Sequence, residues 1–156
     1  MKFIFLHIST AREKWSDLAI DLYSEKISHF TSFEVHGLKP KKYSRDNHLA
    51  KRDDDTKIIM DFLKEDDFVV LFDEKGKALD SFAWAKAVES VLQSGKKRCI
   101  WIIGGAYGVG EDLQKRANLK LNLGPFVMNH LVAQTVAAEQ IYRAFTIIKG
   151  LPYHNA

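Results

Sequence analysis

Apolar residues along this chain follow two rhythms. Runs that alternate with polar residues, or have no polar interruption, occur at Lys2 to Ile8, Phe33 to Leu38, Phe68 to Phe72, Arg98 to Ile103 and Leu119 to Leu123, and predict five strands. Between them, spacings of three and four predict helices. Trp15, Leu18, Ala19, Leu22 and Tyr23 form one such row, and Trp84, Ala87, Val88, Val91 and Leu92 another, with Asp80 or Ser81 placed to cap it. Arg45 to Leu63 is more polar and is expected to be helical over much of its length. A long helix is expected from about Leu131 to Ile148, stopped by Gly150 and Pro152.

Phe68-Val69-Val70-Leu71-Phe72 is apolar on both faces, which suits a parallel strand covered by helices above and below. Strands alternating with helices predict one α/β domain over residues 1–156, with a mostly parallel sheet flanked by helices. The long helix has a stripe of Leu131, Gln134, Thr135, Ala138, Tyr142 and Phe145, yet Val132, Val136 and Ile147 lie off it. It should therefore be buried on more than one side, either against a second subunit, with the i, i+4 pair Glu139 and Arg143 at that interface, or as the central core helix of a monomer. Trp15, Trp84 and Trp101 all fall on apolar faces and are expected in the core, as is His7 with its hydrogen bonds satisfied.

Composition narrows the classes. The 156 residues are 46% hydrophobic and 28% charged, ordinary for a globular chain. No apolar run approaches the roughly 18 residues needed to span a bilayer, and the apolar start at Phe3 is too short for a signal peptide, so a cytoplasmic protein is expected. The lone Cys99 heads a predicted strand and should be inert, and the six histidines are scattered without metal-ligand spacing, so no metal is expected. A net charge of +3 does not announce a nucleic-acid protein, but Lys39, Lys41, Lys42 and Arg45 cluster within seven residues and suit phosphate, as do Lys96-Lys97-Arg98 and Arg12.

Candidate chemistry centres on Ile103-Gly104-Gly105-Ala106-Tyr107-Gly108-Val109-Gly110, where a strand opens into four glycines and then Glu111-Asp112 begin a helix. Such a loop lets backbone groups approach a ligand. The order is not that of a dinucleotide fingerprint, residues 113–138 contain no acid to hold a ribose, and no Gly-Lys-Ser/Thr follows for phosphate, so NAD and ATP are disfavoured. An adenine ring or a small zwitterion read by backbone groups fits better. A second loop, Gly124-Pro125-Phe126-Val127-Met128-Asn129-His130, precedes the long helix; His130 is placed to start that helix or to bond a loop carbonyl.

Ile103-Gly104-Gly105-Ala106-Tyr107-Gly108, Leu131-Val132, Ala138-Glu139-Gln140-Ile141-Tyr142-Arg143-Ala144-Phe145 and the terminal Pro152-Tyr153-His154, with Leu71-Phe72-Asp73 and Gly76, together resemble the RlmH family of ribosomal RNA methyltransferases over essentially the whole chain. The resemblance implies a SPOUT-type α/β fold with a C-terminal trefoil knot, which generic topology rules would not have suggested. It implies a homodimer that transfers a methyl group from S-adenosylmethionine to N3 of a pseudouridine in large-subunit rRNA, within the ribosome. Carried over by position, the cofactor pocket would use Phe72, Gly104, Leu123, Gly124, Pro125, Phe126, Val127 and Met128. His154, Tyr153 and Arg143 are the catalytic candidates, His154 as a base for the imide proton and Arg143 to orient the target base or its phosphate. Asn155 stands where family members tend to carry a basic residue. Two other classes remain open: a catalytically silent, dimeric RNA-binding module of the same fold, and a flavodoxin-like nucleotide-binding protein.

Overall fold

A computed structural model describes residues 1–9, 12–42 and 46–155. Five parallel strands, β1 (Lys2–Ile8), β2 (Ser32–Leu38), β3 (Phe68–Ala78), β4 (Arg98–Ile103) and β5 (Leu119–Asn122), form one sheet in the order β2-β1-β4-β3-β5. The strands carry apolar residues on both faces because both are covered. Phe3, Phe5, Val70, Trp101 and Leu121 meet α1 (Lys14–Ser28), α3 (Ser81–Gln93) and α5 (His130–Ile148). Ile4, Leu6, Ile8, Val69, Leu71, Ile100 and Ile102 meet Ile59 of α2 (His48–Phe62) and Leu113 of α4 (Glu111–Arg116).

Local signals account for several boundaries. Asp80 caps α3 by accepting from the Ala83 N–H at 2.8 Å, and Asn129 does the same for α5 through Leu131. The polar predicted helix begins at His48 after the cap Asn47, so of the expected span Arg45 lies outside the described residues. Trp84 and Trp101 are buried and stacked 6.0 Å apart, with Phe3 and Phe72 beside them.

Trp15 is not a core residue. It is 49% exposed, and Leu18 and Leu22 are exposed with it. The helix meets the core through Ser16, Ile20, Tyr23 and Ile27, about a third of a turn round from the Trp15-Leu18-Leu22 row, so the amphipathic spacing marked a real face but the wrong one for this chain's interior. The girth of α5 is likewise met within the chain, by α1 on one side and α3 on the other, and its burial alone requires no second subunit.

At the amino ends of the strands, Arg98 is committed to buried Asp67: its Nη2 donates to Oδ2 at 3.0 Å, while Nε approaches Oδ1 at 2.9 Å off the N–H axis. The same carboxylate accepts the Lys64 N–H at 2.8 Å. The expectation that Lys96-Lys97-Arg98 grips phosphate thus fails for Arg98, whose charge is spent inside the protein. Because removing one partner of a buried pair strands the other, Asp67→Ala should lower stability by about 3 kcal/mol. Urea denaturation is the check; a loss below about 1 kcal/mol would show that Arg98 rehydrates freely.

Candidate active site

All five strands point their carboxyl ends to one edge, where ligands of open α/β sheets bind. Three chain segments rise there and enclose a cleft of about 630 Å³. The first is the glycine loop after β4. Gly108 takes a left-handed φ of +76° and returns its N–H to the Gly105 carbonyl at 3.0 Å, closing a tight turn with Ala106 and Tyr107 at its tip. A Cβ on Gly104 would lie 2.4 Å from Val109 Cγ1, and one on Gly105 2.3 Å from Asp55 Oδ2. These two glycines are therefore demanded first by packing of the loop on itself and on α2. Thr56, also on α2, accepts the Gly110 N–H at 2.8 Å and donates to the Arg52 carbonyl, which ties the loop to that helix.

The second wall is an excursion inside β3. Phe72 and Lys77 both pair with Leu121, so residues 73–76 leave the ladder and return to it. Asp73 stabilises the excursion by accepting from the Lys75 N–H and from Gln114. Gly76 brings it home: a Cβ there would sit 2.6–2.8 Å from backbone atoms of Lys120 and Leu121. The third wall is the loop after β5. Asn122 joins it to the second wall, donating to the Glu74 carbonyl and accepting the Gly124 N–H, both at 2.7 Å.

Phe72, Gly104, Leu123, Gly124, Phe126, Val127 and Met128 all line this cleft; Pro125 does not. The sequence reading did not assign Arg52, Glu74, Lys75 or Asn122, nor a site role to Asp73, all of which also line the cleft, while Tyr107 lines it from within the glycine loop already singled out. Gly76 was the available sign of the β3 excursion, whereas nothing in α2 marked Arg52. His130 begins α5, as expected, and donates through Nε2 at 3.1 Å to the carbonyl of Ile8, the end of β1 rather than a loop. His7 departs from expectation, since its Nδ1 is buried with no hydrogen-bond partner. Burial lowers the pKa of both histidines. It raises that of the Cys99 thiol well above the usual range, in keeping with an inert buried side chain.

Arg143, Tyr153 and His154 come together, but away from the cleft. Glu139 is their hub: it accepts from Arg143 Nε at 3.0 Å, from Arg143 Nη2, and from the Tyr153 hydroxyl at 3.1 Å. Arg143 Nη1 lies 3.2 Å from His154 Nδ1; a guanidinium only donates, so Nδ1 accepts and a neutral ring carries its hydrogen on Nε2. The Glu139 contact raises the Arg143 pKa, and burial raises that of Tyr153. The cleft meets α5 at His130 and Ala133, and Arg143 lies ten residues, about 15 Å, further along the helix.

The basic candidates spread outside the cleft. Lys39, Lys41 and Lys42 are exposed on the approach to α2, with Lys41 Nζ 3.7 Å from Asp54, and Arg12 is held by Asp17 at 3.1 Å. Among the described residues no group of His, Cys, Asp or Glu is arranged to hold a metal ion, and no helix is long and apolar enough to cross a membrane.

The family model described as "Predicted SPOUT methyltransferase" matches residues 1–154, and the parallel sheet flanked by helices is consistent with that fold. Curated relatives include "Ribosomal RNA large subunit methyltransferase H" of Bdellovibrio bacteriovorus, 53% identical over 99% of both chains. Proteins of the same name from Christiangramia forsetii (34% identical, 95% of both chains) and Clostridium botulinum (30% identical, 99% of this chain and 100% of the relative) are also similar. The chain belongs to the SPOUT methyltransferases and, within them, to this large-subunit rRNA methyltransferase H family.

Proposed function

We propose that the protein transfers the methyl group of S-adenosylmethionine to N3 of a pseudouridine in large-subunit rRNA, acting as a homodimer on the ribosome. The observation that carries this reading is the cleft, whose two loops offer backbone groups where a Cβ would crowd Val109, Asp55, Phe126 or Met128. Its lining fits a zwitterion bearing an aromatic ring. Lys75 suits the carboxylate, Asp73 and Glu74 the ammonium, and Phe72 with Leu123, Phe126, Val127 and Met128 the adenine.

When bound, the cofactor supplies an electrophilic sulfonium methyl. The protein's own contribution is to position the acceptor and to stabilise the imide anion left when the N3 proton departs to water. We read His154 here as a donor through Nε2–H to a carbonyl beside N3, rather than as the base, because Arg143 occupies Nδ1. Arg143, fixed by Glu139, adds positive charge to the same side.

Separation of this cluster from the cleft within one chain gives the dimer its purpose: a second copy would bring its C-terminal cluster to the first copy's cleft. The uncovered row Trp15, Leu18 and Leu22, with exposed Phe82 and Leu151, supplies apolar surface for such contact.

Titration calorimetry with S-adenosylmethionine tests the cofactor site. Gly124→Val is the informative variant, since its Cβ would meet only the ends of Phe126 and Met128, whereas a bulky residue at Gly104 would disrupt the loop itself. Wild type should bind and Gly124→Val should bind at least tenfold more weakly. Binding of rRNA by a wild type that binds no cofactor would favour the silent module instead.

A further inference from the structure

One rim of the cleft carries an aromatic pair that cofactor binding does not explain. Tyr107, at the tip of the glycine turn, is 41% exposed and lines the cleft. Its ring lies against that of His48, the first residue of α2, at 4.1 Å between centroids and 14° between planes. His48 is itself exposed and lies outside the cleft, so it backs the Tyr107 ring from the far side. One helical turn on from His48, Arg52 reaches the same rim, its guanidinium steadied by Asp53 at 2.8 Å. Lys39, Lys41 and Lys42 lie on the approach to this end of α2.

The arrangement has the parts of a single-stranded nucleic-acid site: a flat π-surface with one face supported, a guanidinium beside it, and exposed lysines on the segment that leads to the same helix. A tyrosine at a turn tip gains little from folding, and a second ring laid parallel to it fixes its plane. Phosphate contacts alone would need neither ring. Phe72, Gly104, Leu123 and Gly124 line the same cleft where the strands end.

We infer that Tyr107, held in plane by His48, is the stacking platform for the target nucleobase, so that RNA enters the cleft over the amino end of α2 with Arg52 and Lys39 to Lys42 on its phosphates. This rests on the rRNA methyltransferase reading above. His48 is a positioning residue that acts through Tyr107.

The test is methyl transfer to large-subunit rRNA by the full chain, with cofactor affinity measured by calorimetry and RNA affinity by anisotropy of a labelled rRNA fragment. Tyr107→Ala should raise KM for RNA and weaken RNA binding at least tenfold, with cofactor Kd within twofold of wild type; Tyr107→Trp should restore both RNA terms. His48→Ala should show a smaller shift of the same kind, and His48→Phe should rescue it. Loss of cofactor affinity equal to the loss of RNA affinity would assign Tyr107 to the adenine and overturn the inference. Wild-type RNA affinity in Tyr107→Ala would overturn it equally. A wild type that binds RNA but transfers no methyl would refute the enzymatic reading alone, since RNA affinity of the variants still decides the platform.

Discussion

Gly76→Ala is expected to cost about 3 kcal/mol of stability and, in the same stroke, most of the cofactor affinity. Its Cβ would lie within 2.8 Å of three backbone atoms, Leu121 C and N and Lys120 C, none of which can rotate away as a side chain would. Relief must come from parting β3 and β5, the pair that re-forms at Lys77 opposite Leu121 after the excursion through Asp73 and Glu74. That excursion is a wall of the cleft, and Asn122 links it to the next wall, so displacement passes directly into the site. For a chain of this length the stability loss corresponds to a fall in Tm of roughly 6–12 °C. Calorimetry of unfolding and of S-adenosylmethionine binding reads both parts; an unchanged Tm would mean that the close approach is softer than the geometry indicates.

Arg143→Ala should reduce methyl transfer on the order of 10²- to 10³-fold while leaving cofactor affinity intact. Within one chain the side chain lies about 15 Å along α5 from the nearest cleft contact, and in the proposed dimer it would meet the acceptor base rather than the cofactor, so cofactor affinity is expected to hold. What is lost is the donor that holds His154 Nδ1 and the cation bonded to Glu139, which still keeps the Tyr153 hydroxyl. Arg143→Lys should recover little, because an ammonium cannot span Glu139 and His154 with a planar fork. Single-turnover transfer to rRNA is the measurement, with Tm as a control for folding. Activity within a factor of about three of wild type would remove the C-terminal cluster from the chemistry.

The three central strands were legible because each buries both faces, so the runs at Ile4 to Leu6, Val69 to Leu71 and Ile100 to Ile102 are continuous, while edge strands β2 and β5 bury one residue each. The glycine loop and the 123–128 loop were legible as places, since chain turns at the carboxyl ends of strands announce themselves in glycine and proline. What could not be read was which neighbour each feature serves. Gly104 and Gly105 look like a ligand cradle in sequence, yet the nearest constraint on Gly104 is Val109 in the same loop and that on Gly105 is Asp55, fifty positions back. Trp15, Leu18 and Leu22 have helical spacing, but spacing does not say whether the face meets this chain's core or remains uncovered. Arg52, Asp73 and Asn122 reach the cleft through long-range geometry: an irregular ladder at β3 and a helix held to a loop by Thr56 and Gly110. No local window contains that information.

The parallel sheet also separates working edge from idle edge. The turn at residues 94–97 lies with the amino ends of the strands, on the far side from the cleft, and Gln93 just before it is exposed. Since the chain's one cysteine is buried with an unreactive thiol, Gln93→Cys would be the only site open to maleimide. A dye or surface tether there would report on RNA binding, or anchor the molecule, with the mouth of the cleft left clear.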